Sequence, residues 1–140
     1  MDGLAEKALA DHLGEISRAF RGVLTWKWDS RFEAVLAEFG AGQKDEIRAI
    51  LERSLPKSWD SSNIGEAPDR VRSINDHLGG LWPGQRLFTP DPEGDGIIFC
   101  AWWPWGDGKT ISLRIAPFYQ TLSEPERREK IQLLRGGFGI

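Results

Sequence analysis

Four stretches of this 140-residue chain hold residue types at spacings that chemistry uses. The first is Asp91-Pro92-Glu93-Gly94-Asp95-Gly96, which matches the opening of a calcium loop, D-x-[DN]-x-[DN]-G. Calcium takes six to eight oxygens, and a complete loop adds a bidentate glutamate at its twelfth position. Here that position is Trp102, and Pro92 and the flanking strand-like runs contradict a helix-loop-helix. A solvated acidic turn is the expectation, and no metal ligand is assigned.

The second stretch, Gly106-Asp107-Gly108-Lys109-Thr110, echoes the G-K-[ST] tail of a phosphate-binding loop. Its required upstream glycine is missing: Ala101 stands five residues before Gly106, and Trp103 five before Gly108. It also leads into a strand-like run rather than a helix N-terminus, where amides would face a phosphate. Hairpin-turn chemistry explains every one of its residues.

Third, Cys100 with His77 or His12 could form a thiol and base, but Cys100 lies between Phe99 and Ala101, where a buried inert thiol is expected. Two histidines and one cysteine, far apart, make no zinc set. Fourth, Glu66, Asp69, Asp76 and His77 could gather into a carboxylate and imidazole site of a small enzyme. No catalytic residue or cofactor is assigned on these grounds. Glu124, Glu126 and Glu129 with Arg127, Arg128 and Lys130 read as a solvated helix face.

The elements that would position such residues centre on Ile97 to Pro117. Two β-branched and aromatic runs flank Gly106-Asp107-Gly108, a strong hairpin signal. With Asp107-Gly108 as a two-residue loop, Trp103 opposes Ser112, Trp102 opposes Leu113 and Cys100 opposes Ile115. Ile98, Cys100, Trp102, Ile111, Leu113 and Ile115 then form a core face. Phe99, Ala101, Trp103, Trp105, Thr110, Ser112 and Arg114 share the other, which mixes large aromatics with hydrogen-bonding groups. A one-residue slip would exchange the faces on one strand. Trp103, Trp105, Arg114 and Phe99 are therefore the candidate binding residues, as a hot-spot cluster or a stacking platform.

Around the hairpin, apolar periodicity predicts helices over about 4–21, 31–39, 44–55 and 68–78. Ser30-x-x-Glu33 reads as a capping box for the second, followed by Phe32, Val35, Leu36 and Phe39. Residues 23–28 are either a strand or an extended linker, and 57–63 a loop. Strands are expected at about 85–89, 97–104 and 109–116, forming a three-stranded antiparallel meander. Thr121-Leu122-Ser123-Glu124 reads as a second capping box, opening a closing helix over about 124–135 that Gly136-Gly137 ends. The fold class is α+β, in one domain spanning 1–140.

Bulk properties set the function classes. A formal charge of −3 is not that of a nucleic-acid binder. One cysteine permits no internal disulfide and suits a reducing compartment. The acidic N-terminus does not read as a secretory signal, and no apolar run is long enough to span a bilayer, so a soluble, cytoplasmic chain is expected. Seven tryptophans against one tyrosine and one methionine are the anomaly. Without a catalytic set, the expectation is a non-enzymatic domain that binds another protein: an inhibitor, an immunity-type neutraliser or an assembly accessory, monomeric or dimerised through an edge strand. A module for a small molecule or carbohydrate, and the small enzyme noted above, are the alternatives.

Overall fold

The computed structural model describes residues 3–91 and 97–140. Among them are four α-helices and six strands, which assemble into one antiparallel sheet of order β1-β2-β6-β5-β4-β3. The strands are β1 (Lys27–Asp29), β2 (Ala34–Gly40), β3 (Lys57–Trp59), β4 (Arg86–Thr89), β5 (Ile97–Pro104) and β6 (Thr110–Phe118). The helices are α1 (Gly3–Ala19), α2 (Lys44–Ser54), α3 (Asp69–His77) and α4 (Glu124–Phe138). The fold class is α+β. The expected calcium-like turn falls largely on 92–96, outside the described residues.

The expected meander of β4, β5 and β6 is present, but it forms part of a larger sheet. The additional strands come from segments with weak or misleading patterns. The helix expected at 31–39 is instead a turn followed by β2. Its Phe32, Val35, Leu36 and Phe39 spacing mimics a helix because residues 34 to 37 are all buried. A central strand covered on both faces loses the alternation that identifies strands. β2 pairs with β1 on one side and with β6 on the other, so both of its backbone edges are satisfied. Nor does Ser30 cap anything through Glu33. Asp29 does that work: its Oδ1 accepts the Arg31 N–H at 2.9 Å, making an Asx turn that Glu33 closes at φ +50°. The loop expected over 57–63 contains β3, and the ambiguous 23–28 segment contributes β1.

Helices cover both faces of the sheet. On the face of Val35, Leu113, Cys100 and Phe88 lie α2 and α4. Arg48 of α2 sits over the Phe88 ring at 5.8 Å, and Arg135 of α4 sits over Trp28 at 5.1 Å. α1 packs across both helices. On the opposite face is α3, whose buried Val71 and Ile74 join the core and whose His77 meets Phe118 at 5.7 Å. The outermost strands, β1 and β3, are three residues each and carry exposed Lys27 and Lys57. Short lysine-bearing edges oppose edge-to-edge pairing.

α4 starts at Glu124 as expected, but its N-cap lies two residues past the expected Thr121. Ser123 is the N-cap: its Oγ accepts the Glu126 N–H, and the Glu126 carboxylate accepts the Ser123 N–H. The helix runs through Gly136-Gly137 to Phe138 and ends at Gly139 in the left-handed region, φ 69°. Phe138 reaches back to Trp26, ring centroids 4.9 Å apart, and this contact holds the last turn helical. Ser123→Ala removes one partner of the reciprocal cap. The expected cost is about 1 kcal/mol, read as a melting temperature about 3–4 °C lower.

Candidate functional site

Two places in the fold gather exposed or unpaired chemistry, and they lie at opposite ends of the β5–β6 hairpin.

The first is the hairpin tip. The register is the expected one, with Cys100 opposite Ile115, Trp102 opposite Leu113 and Trp103 opposite Ser112. The loop, however, has four residues, Gly106 to Lys109, closed by the Trp105 N–H donating to the Thr110 carbonyl at 2.8 Å. Asp107 Oδ1 accepts the Lys109 and Thr110 amides, and Gly108 supplies the φ of +71° that the reversal needs. These amides are occupied within the turn, as hairpin chemistry requires and phosphate binding does not.

Of the four candidate binding residues, Trp105 is exposed at the tip, at 46%. Phe99 is buried at 1%, out of reach of a macromolecular partner. Trp103 is half-buried: Phe32 meets its ring edge-on at 5.3 Å, and the Arg114 guanidinium lies over it at 4.6 Å. Arg114 in turn donates to Asp29 Oδ2 at 2.6 Å, the two side chains being 19% and 11% exposed. Burial pushes the Asp29 carboxyl up, but the Arg114 hydrogen bond, the Arg31 amide and the Arg114 charge outweigh it and hold the carboxyl below its usual range. Trp103, Arg114, Asp29 and Phe32 thus form a bracket on the sheet face rather than an open stacking platform. The hairpin sequence carries no sign of this, because Asp29 lies 85 residues from Arg114, in the same turn as Phe32.

The exposed aromatic that pattern reading missed is Trp82, at 71%. It sits in the turn before β4, where the Gln85 N–H donates to the Trp82 carbonyl. Arg86, next along, pairs with Trp102. Trp82 and Trp105 therefore lie at the same end of the sheet, with Pro83 and Pro104 also exposed. Between this end and the start of α2 is a hollow of about 390 Å³. Lys44, Arg48 and Arg86 line it with Trp102 and Pro104, against a single carboxylate, Asp45. Arg48 pairs with Glu52 at 2.6 Å and Arg86 with Asp60 at 3.8 Å, whereas Lys44 has no ion-pair partner among the described residues.

The second place is the far end of the hairpin, where β6 leaves the sheet. A hollow of about 430 Å³ lies between the last turn of α3, the start of α4 and the Phe118-Tyr119-Gln120 exit. Asp76 and His77 both line it. Glu66 and Asp69 do not join them: Glu66 ends a 3₁₀ turn, and Asp69 opens α3, paired to Arg72. The carboxylate and histidine set foreseen for an enzyme is thus split along α3. Two residues not foreseen there, Tyr119 and Lys130, complete the rim.

The thiol and base pairing does not form. Cys100 is fully buried, which pushes its thiol far up, and His12 Nε2 donates to the Ser54 carbonyl at 3.2 Å. Among the described residues no three His, Cys, Asp or Glu side chains gather in a way that could hold a metal ion, and no helix is long and apolar enough to cross a membrane. Comparison with protein-family models, with curated proteins and with solved structures found no match.

Proposed function

We propose that this chain is a protein-binding domain that acts through the hairpin end of its sheet, in the manner of an inhibitor, immunity-type or assembly accessory protein. The observation that carries this reading is the pair of exposed tryptophans, Trp82 and Trp105, at one end of the sheet beside a cationic hollow. Exposed tryptophan is costly to leave in water and is enriched where partners dock. Lys44, Arg48 and Arg86 give that end a local charge opposite to the chain's net −3, so the fitting partner is an acidic segment bearing apolar residues. Trp105 keeps its place from the expected set, Trp82 joins it, and Trp103, Arg114 and Phe99 act in support. The chain is taken to be cytoplasmic, where its one buried thiol needs no oxidised partner, and neither nucleic acid nor membrane is invoked.

Affinity capture from native lysate tests it, with three baits: wild type, Trp82→Ala/Trp105→Ala, and Lys44→Glu/Arg86→Glu. A partner held by wild type is expected to be lost by both variants and to elute from wild type as salt rises. Both tryptophans are exposed, so the first variant should melt within a few degrees of wild type. If that folded variant keeps every partner, the hairpin end is not the docking surface.

A further inference from the structure

We propose that the hollow between α3, α4 and the end of β6 binds a small monocarboxylate with an apolar body, its carboxylate facing Lys130. The site is separate from the docking surface proposed above and lies at the other end of the hairpin.

The size and lining set the ligand class. About 430 Å³ lies within the range of small-molecule pockets. Phe32, Phe99, Phe118, Ala116 and Pro117 form its apolar lining. The His77 ring stands between two of the phenylalanines, 6.4 Å from Phe32 and 5.7 Å from Phe118. An apolar ring or branched chain of a few carbons fits such walls.

Lys130 sets the polar end. Lys130 is half-buried and lines this aromatic hollow, and among the described residues it has no hydrogen bond or ion pair. The carboxylate that acts on it, Glu33, is already held by Arg127 at 2.5 Å. A desolvated ammonium without a partner is costly, and a bound carboxylate would offset that cost. Burial holds both Lys130 and His77 below their usual pKa ranges, and the Lys130 charge depresses His77 further. A carboxylate placed between them would relieve both. Asp76 on the opposite rim repels a second negative charge, which argues for a monoanion over a phosphate or a dicarboxylate. Tyr119 also lines the hollow.

The test uses benzoate, phenylacetate and 4-methylpentanoate as probes, each beside its neutral amide, with binding followed by titration calorimetry and by the His77 ring signals in NMR. At least one acid is expected to bind with Kd at or below about 1 mM and about tenfold more tightly than its amide, shifting the His77 signals as it does. Lys130→Met should erase the preference for acid over amide. It breaks no ion pair, so the fold should survive; should it not, the wild-type comparison of acid with amide and the His77 signals decide alone. Trp82→Ala/Trp105→Ala should bind the same acid unchanged, which keeps this result distinct from the docking test. No binding by any acid, equal binding of acid and amide, a preference that persists in a folded Lys130→Met, or silent His77 signals would each overturn the proposal.

Discussion

Phe99→Ala is expected to cost about 3–5 kcal/mol of unfolding free energy, whereas Trp105→Ala, just past the end of the same strand at the hairpin tip, should stay within about 0.5 kcal/mol. The register puts both side chains on one face, and both are candidate binding residues by sequence. Burial separates them. Phe99 is 1% exposed in the centre of the sheet, opposite Ala116, and its ring lines the base of the α3 hollow. Ala116 is too small to expand into the vacated space, and the helix above is anchored by buried Val71 and Ile74. The cavity would therefore persist, and a persistent cavity puts the cost toward the upper end. Trp105 has no ring partner among the aromatic contacts of the described residues, and its backbone, not its indole, closes the loop. Urea unfolding of the two variants against wild type measures the difference. Equal costs would mean that the hairpin tip is packed in solution, and the proposed docking surface would lose its main anchor.

That contrast shows which parts of the fold are legible from residue order alone. The pairing of β5 with β6 is readable residue by residue. Loops of two and of four residues preserve the same parity, so mistaking one for the other leaves Trp102 opposite Leu113 and Cys100 on the core side. Helices α1, α2 and α3 are legible because each has one apolar stripe and a polar remainder. β2 is not, since a strand buried on both faces has no alternation, and Phe32 to Phe39 happen to repeat at helical spacing. β1 and β3 are too short for any period to develop; β1 is held by the adjacent β2, and β3 by β4, about thirty residues further along.

Site residues divide in the same way. Trp105 is legible because a hairpin tip is exposed by construction. Trp82 reads only as turn chemistry, although a tryptophan in a Pro-Gly turn has little to bury against. Lys130 reads as part of a solvated face. That holds for Arg128 and Glu129, but the first turns of α4 pass beside Glu33 where β6 leaves the sheet, and there Lys130 lines the hollow. Such placement depends on how helix and sheet meet, a relation that helical periodicity does not contain.

The bracket on the sheet face leads to the second large effect. Arg114→Met is expected to cost about 2–3 kcal/mol at pH 7, and Asp29→Ala about 2–4 kcal/mol. Losing Arg114 leaves the Asp29 carboxylate largely buried with only the Arg31 and Phe32 amides to satisfy it, at 2.9 and 3.5 Å. Losing Asp29 strips those amides of their acceptor and leaves the guanidinium facing Trp103 and Phe32. Asp29→Ala combined with Arg114→Met should cost less than the two single changes added together, because neither charge is then left buried without its partner. The cycle should then show coupling of at least about 1 kcal/mol. The pH dependence has a definite sign. Asp29 has its carboxyl depressed by folding, so its contribution is complete above the unfolded value near 3.8 and is lost as pH falls through the lower folded value. The difference between wild type and Arg114→Met should therefore be constant from about pH 5 to 7 and shrink below about 3.8. Unfolding both proteins in urea across that range checks it, and a gap that widens in acid would remove Asp29 from the account. Phe32 ties the bracket to the α3 hollow: it packs on Trp103 and Arg114 as well as on His77. If the bracket positions Phe32, Arg114→Met should also weaken carboxylate binding in the α3 hollow, although Arg114 does not line it.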